Sequence, residues 1–265
     1  MVSKLKRDWQ RIYVVRYFLL NLVKLDLKNK YRRSKLGILW TVLYPMGLSA
    51  IMGVVFSVAF NYELAGYMPY VLSGILFWDL VSGAFGGGGY SLLSNDSYIR
   101  QCNNPLMMYT LKSSIVTIIN FTIAMVSLCA WILVQDPLNI LVGTASFPIT
   151  IIIFFFFVWG GTTIAGYTCV QYRDYPMMIP LILQVLWYIS PVFFQEDLFK
   201  SNKLVYTWFQ WNPITHMLNL IRAPFINGVA PSVWDYAISI LFVALIDIWA
   251  YYINEKKERD LIFYL

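Results

Sequence analysis

Apolar residues in this chain fall into long unbroken runs rather than short stripes. Residues 36–62 carry no charge between Lys35 and Glu63, more than the roughly 20 residues a helix needs to cross the ~30 Å hydrocarbon core of a bilayer. A second run covers about residues 67–93 with Asp79 inside it, and a third covers 113–135. Between Asp136 and Arg173 lie 36 uncharged residues, about 54 Å of helix at the usual rise per residue. That is too long for one span and too short for two plus a turn, so the pattern places a span at about 148–172 with 136–147 as an outward-facing lead-in. A fifth run covers 175–195, and a sixth covers about 233–253 with Asp247 inside it. The expected fold is all-α, with six transmembrane helices over residues 36–253. A cytosolic segment, 1–35, precedes them and a cytosolic tail, 254–265, follows.

Two further segments break the pattern without spanning. Residues 11–33 interleave Ile12, Val15, Leu19, Leu22 and Val23 with Arg16, Lys24, Lys28 and Lys30, the arrangement of an amphipathic helix in the headgroup plane. Residues 196–232 hold Trp208, Phe209, Trp211, Ile214 and Phe225, too apolar for a hydrated loop. Short re-entrant or interfacial helices broken at Pro213 and Pro224 suit them better.

Composition and charge then fix class and direction. Only 13% of the 265 residues are charged and 59% are hydrophobic, against about 25% charged in soluble domains, so the chain is an integral membrane protein. Of its twenty Lys and Arg, eleven lie in residues 1–35, and Arg100, Lys112, Arg173, Lys256, Lys257 and Arg259 fall on the same side of a six-span topology. Lys200, Lys203 and Arg222 fall on the other. The positive-inside rule puts the crowded side, with both termini, in the cytoplasm. The net charge of +6 thus reflects topology, and no nucleic-acid partner is needed to explain it. The basic, polar start has the wrong order for a cleavable signal peptide. One histidine and three scattered cysteines give no metal-ligand spacing, and Gly-Lys never occurs, so no P-loop is present. Catalysis, metal binding and a nucleotide cofactor are not expected of this chain, and any ATP must be hydrolysed by a partner.

Some residues carry two readings. The small-residue ladders Ser49-Gly53-Ser57 and Gly83-Gly87 allow close helix approach, either between two copies or inside one bundle. The cluster Gly83, Gly86, Gly87, Gly88 and Gly89 sits in an apolar span with no Lys behind it, which marks a bend or close helix contact rather than a phosphate cradle. Asp79 and Asp247 lie near mid-span, where an acid is a functional candidate by default or a hydrogen-bonded part of the bundle.

Four segments together resemble one family. YRRSKLGILWTVLYP (31–45) leads from a basic helix straight into the first span; YIRQCNNPLMMYTLK (98–112), RDYPMMIPLILQVLWYISPVFF (173–194) and WNPITHMLNLIRAPFING (211–228) follow in order. They resemble ABC-2 type permeases, in particular the membrane subunit of exporters for O-antigen, capsular polysaccharide and teichoic acid. The resemblance implies a bacterial inner-membrane permease that forms a homodimer, recruits two copies of an ABC ATPase subunit and exports a lipid-linked polysaccharide. It also implies that residues 98–105 are the cytosolic coupling element, with Tyr98, Arg100, Asn104 and Pro105 docking the ATPase. Relatives often have basic and aromatic residues where this chain has Gln101-Cys102-Asn103-Asn104. Six helices enclose little space, so a polymer-wide route needs a second copy. Rings with a polar edge stack on sugars while hydrogen-bonding hydroxyls, which nominates Trp40, Tyr44, Trp187 and Tyr188 as glycan-channel lining beside the alternative role of interfacial belt. Lys30, Arg32 and Arg33 suit a lipid pyrophosphate or act as topology signals. Alternatives are an ABC-2 exporter of another amphiphile, a membrane glycosyl or lipid transferase with Asp96, Glu196 and Asp197 as its only loop acids, and a proton-coupled carrier using Asp79 or Asp247.

Overall fold

A computed structural model describes residues 9–102, 104–195 and 202–261. Among these the chain is all helical, without strands. Residues 9–14 are helical up to a break at Val15, after which α1 (Arg16–Tyr31) begins. Then come α2 (Trp40–Phe60), α3 (Leu64–Phe85), the short α4 (Asp96–Gln101), α5 (Met107–Gln135), α6 (Asn139–Gln171), α7 (Tyr175–Ile189), α8 (Lys203–Trp211), α9 (Pro213–Phe225) and α10 (Val233–Leu261). Five stretches are long and apolar enough to cross a membrane: Gly37–Phe60, Leu64–Ser91, Met107–Gln135, Asn139–Gln171 and Val233–Glu258. The chain is a multi-pass membrane protein.

Three boundaries differ from the expected ones, each for a physical reason. Residues 139–147 are helix rather than lead-in, because α6 runs through Pro148 for 33 residues. The expected fifth span is only 15 residues of helix, α7, about 23 Å long and short of the hydrocarbon core. It stops at Ser190, whose backbone is extended (φ −102°, ψ 150°). The next residue is Pro191, and a proline disfavours the helical region for the residue before it. The last helix continues beyond 253 through Glu255, Lys256 and Lys257. Between α7 and α10, the break between α8 and α9 falls at Asn212, whose side chain accepts from the Ile214 N–H at 3.0 Å, and Pro213 opens α9. Pro224 lies inside the last turn of α9. Glu196, Asp197 and Lys200 lie outside the described residues.

The centre of the bundle is α3. Val71, Phe77 and Ala84 are fully buried, and α3 touches α2, α5, α6 and α9. Where the backbones meet, glycine is required: a Cβ on Gly74 would strike the carbonyl of Val192, one on Gly161 would crowd Phe85, and one on Gly88 would meet Thr162 of α6. The glycine run thus makes a close helix contact, as a 3-10 turn (Gly87–Ser91) against α6. Ser49, Gly53 and Ser57 are all buried on one face of α2, where Gly53 abuts Met68 of α3, so this small-residue ladder packs inside the bundle. A second, inner core gathers Ile12, Leu19, Leu22 and Val23 of the N-terminal segment with Ile99, Leu106 and Met108. The apolar face of α1 is therefore covered by the chain's own α4–α5 region.

Candidate functional site

The turn from α1 into α2 builds the floor of a cavity lined by four helices. Arg33, in the connection between α1 and α2, adopts a left-handed backbone (φ 68°), a conformation that costs a non-glycine residue roughly 1–2 kcal/mol. Tyr31 fastens the turn. Its hydroxyl donates to Asn120 Oδ1 of α5 at 2.5 Å and lies 2.8 Å from Thr41 Oγ1 of α2. Above it, α3 presents Leu76, Asp79, Leu80 and Gly83, and α5 presents Thr117, Asn120, Phe121 and Ala124. Both sets have i, i+3, i+4, i+7 spacing, one face of a helix. Trp40, Thr41, Tyr44 and Pro45 of α2 and Lys30 of α1 close the cavity, about 380 Å³ in volume.

Of the residues nominated from sequence, Lys30, Trp40 and Tyr44 therefore meet at one place, and Trp40 and Tyr44 are 54% and 60% exposed there. The others are elsewhere. Arg32 and Arg33 are exposed at the turn. Trp187 is half-buried, edge-on to Trp78 with ring centres 5.2 Å apart, and Tyr188 is exposed beside Phe193. Asp79 had no basic residue at matching depth in the linear sequence; folding brings Lys30 from the N-terminal helix to the same cavity. A carboxylate, an ammonium, an amide and two flat rings in one open pocket make a surface for a hydroxylated ligand that also carries negative charge.

The segment 98–105, nominated from sequence as a coupling element, is partly exposed. On α4, Tyr98 is exposed and touches Phe18 of α1, ring centres 5.9 Å apart, and Arg100 pairs with Asp96 at 2.7 Å. Asn104 is half-buried and Pro105 is buried; Asn103 lies outside the described residues. Behind this segment sits a residue that charge counting treated only as a topology signal. Lys112 is buried, pairs with Asp26 of α1 at 2.6 Å and donates to Asn95 Oδ1 at 3.1 Å. It ties α1, the α3–α4 connection and α5 together.

On the opposite end, Arg222 of α9 is buried and holds the chain reversal after α7. It donates to Pro191 O at 2.7 Å and Val192 O at 2.6 Å, reaches Ser73 Oγ at 3.2 Å, and stacks its guanidinium 3.6 Å from the Tyr70 ring centre. Nearby, Ser232, Asp235 and His216 cluster, but not as a nucleophile, base and orienting acid. Ser232 Oγ donates to Asp235 Oδ2 and accepts from the Asp235 N–H, while Asp235 Oδ2 accepts from the Ser232 N–H. These are reciprocal caps at the start of α10. His216 Nδ1 lies 2.8 Å from Asp235 Oδ1 and so joins α9 to that cap.

Comparison with known proteins agrees with this architecture. Residues 17–226 match the family model described as ABC-2 type transporter. Two relatives are each named O-antigen export system permease protein RfbA. The one from Klebsiella pneumoniae is 22% identical over 219 residues, 82% of either chain. The one from Myxococcus xanthus is 21% identical over 251 residues, 91% of this chain and 92% of its own. With a family match over most of its length and a helical membrane bundle to go with it, the chain belongs to the ABC-2 type transporter family.

Proposed function

We propose that this chain is the membrane subunit of an ATP-driven exporter of a lipid-linked polysaccharide in a bacterial inner membrane. The observation that carries the reading is the cavity in which Lys30, Asp79 and Asn120 face Trp40 and Tyr44. An amphiphile with a charged phosphate linkage and a hydroxyl-rich body needs that combination, and the names of the relatives favour a glycan over a drug or a plain lipid. Lys30, with Arg32 and Arg33 at the adjoining turn, takes the pyrophosphate. Trp40 and Tyr44 stack on the first sugars while Asp79 and Asn120 bond hydroxyls. Trp187 and Tyr188, at the far end of α7, line a later part of the path. Many weak aromatic contacts let a polymer slide, since conduction requires binding weak enough to leave.

ATP is bound and hydrolysed by a separate ABC subunit, two copies of which dock on a homodimer of this chain through α4. With α7 and the 190–195 turn serving as a fifth crossing, both termini are cytoplasmic. The N-terminal helix keeps its inner face on the protein, and Tyr13, Tyr17 and Leu20, which are exposed, sit in the headgroup layer. Helices α8 and α9 form the outer interfacial cap.

The test is export of surface polysaccharide from cells carrying Trp40→Ala, Tyr44→Ala, Trp187→Ala or Tyr188→Ala, with membrane abundance measured alongside. Losing a stacking ring should cut export about two- to tenfold at normal abundance. Normal export in all four would remove the aromatic path, and absence of a stoichiometric ATPase from the purified permease would remove the ATP-driven reading.

A further inference from the structure

His216 is the chain's one histidine, and both of its ring nitrogens face oxygen. Nδ1 lies 2.8 Å from Asp235 Oδ1 of α10, and Nε2 lies 2.9 Å from the backbone carbonyl of Gln210, in the last turn of α8. A carbonyl only accepts. The Asp235 carboxylate is likewise an acceptor here: the Asn219 amide donates to its Oδ1 at 3.3 Å, and the Ser232 hydroxyl and N–H donate to its Oδ2. A neutral imidazole has one N–H and one bare nitrogen, so it can serve only one of these two partners. A ring that serves both carries a proton on each nitrogen.

What this cation fastens is α8. That helix buries only Phe209, while Leu204, Trp208 and Trp211 are exposed, so little packing holds it down. Its last carbonyls form the negative end of the helix dipole, where a cation is favoured. Asn212 is the joint between α8 and α9, and it donates to Ser190 Oγ at 3.2 Å. Among the described residues no other charged group bonds the ring. Helix α6 has no charged residue, and the α3 residues Tyr67 and Tyr70 donate to Phe193 O and Phe194 O. Arg222 of α9 is clamped on Pro191 O and Val192 O. On α8, Lys203 is exposed and Tyr206 accepts from the Gln210 side chain. Asp79 faces the Lys30 cavity, and Asp247 of α10 rests against Gly160. The His216 and Asp235 side chains are 13% and 11% exposed, enough for the proton to exchange with water.

We infer that His216 is a pH-operated latch: it holds α8 onto α9 while the ring is doubly protonated, and it lets the end of α8 go as the pH rises. When the ring loses a proton, the N–H that remains stays with the carboxylate, the stronger acceptor. Bare Nε2 is left facing the Gln210 carbonyl, lone pair against lone pair, and α8 is free to swing about Asn212. The sign follows from the charge. The fastening is complete at low pH and is lost on going up, and histidine is the side chain whose charge changes between about pH 5 and 8. In the proposed topology α8 lies on the outer side, so the latch answers to the pH outside the membrane. The export reading contains no such control, and the latch depends on neither the ATPase nor the glycan.

The test uses the full-length permease in lipid nanodiscs, purified without a polyhistidine tag so that isotope-labelled histidine reports His216 alone. Ring NMR should show two protonated nitrogens at about pH 5.5 and one at about pH 8.5. Amide exchange of residues 203–211, with labelling times corrected for the intrinsic effect of pH, should become about tenfold faster over the same interval. The two transitions should share a midpoint. His216→Ala should exchange fast in this segment at both pH values, and His216→Arg, whose charge is permanent, slowly at both. Unchanged exchange of residues 139–150 in each variant certifies that the bundle is folded. A singly protonated ring at about pH 5.5, an α8 exchange rate that does not change with pH, or a pH response that survives in His216→Ala would each overturn the latch. Because neither ATPase nor glycan is present, such a result leaves the export reading standing.

Discussion

The two helices α2 and α3 are close in length and follow one another in sequence, yet they live in different solvents. Along its apolar stretch α2 is 22% buried by the rest of the chain, while α3 is 72% buried, although α2 is the more apolar of the two. In water that order would be reversed, because burial follows hydrophobicity. In a bilayer the lipid is as apolar as a leucine, so what selects the central helix is the ability to let other backbones approach. Helix α3 has Gly74 and Gly83 against Val192 and Thr117, and Ser73 and Tyr70 facing Arg222. Helix α2 buries only Pro45 and the small residues Ser49, Gly53 and Ser57, which share one stripe, while its other small residues, Gly47 among them, stay off that contact.

This contrast is open to attack by substitution, beginning where the effect should be greatest. Gly74→Val places a side chain in the Val192 carbonyl and should destabilise by more than ~3 kcal/mol, seen as loss of monodisperse protein. Gly47→Val on α2, where a Cβ meets nothing within 4 Å, should leave the yield unchanged; equal losses would refute the distinction between the helices. Arg222→Met leaves Pro191 O and Val192 O without their donor and should cost about 2–4 kcal/mol, read as a lowered melting temperature in detergent. Ser49→Leu, on the one packed stripe of α2, should cost about 1–3 kcal/mol by the same melt. Smallest of all, Val55→Ala on the open face of α2 should stay within about 0.5 kcal/mol, and a larger loss would mean that face packs on something.

Much of this contrast is invisible in the linear chain. Hydropathy runs reveal apolar helices because their signal is additive along the sequence: α2 lies inside its uncharged run, α5 ends and α10 starts where their runs do, while α10 continues past the expected 253. The same signal misplaces the start of α6 and the end of α7: it reads no difference between the helical residues 139–147 and a lead-in, and none between α7 and the turn imposed by Pro191. The site was legible in the same uneven way. Trp40 and Tyr44 share a helical face, so spacing put them together, and the basic lip drew attention to Lys30. The meeting of Lys30 with Asp79, the Tyr31–Asn120 fastening, the Lys112–Asp26 pair and the Arg222 clamp all join residues far apart in sequence. Each of the two buried cations was read as a topology marker, because charge counting records the side of the membrane and not the partner.

The length of α6 has a consequence for how the protein sits in its membrane. Its 33 residues make about 50 Å of helix, and the charge-free run extends through all of it, so its apolar length exceeds a ~30 Å hydrocarbon core by far more than a typical ~20° tilt absorbs. The surplus is taken up by protein. Gly143 abuts the Phe225 ring, Phe147 lies edge-on to the same ring at 6.2 Å, and Thr150 donates to Leu220 O at 3.4 Å. Helix α9 thus serves as a local thickening of the bilayer made of polypeptide, and it fixes the height at which the permease floats without asking the lipids to stretch.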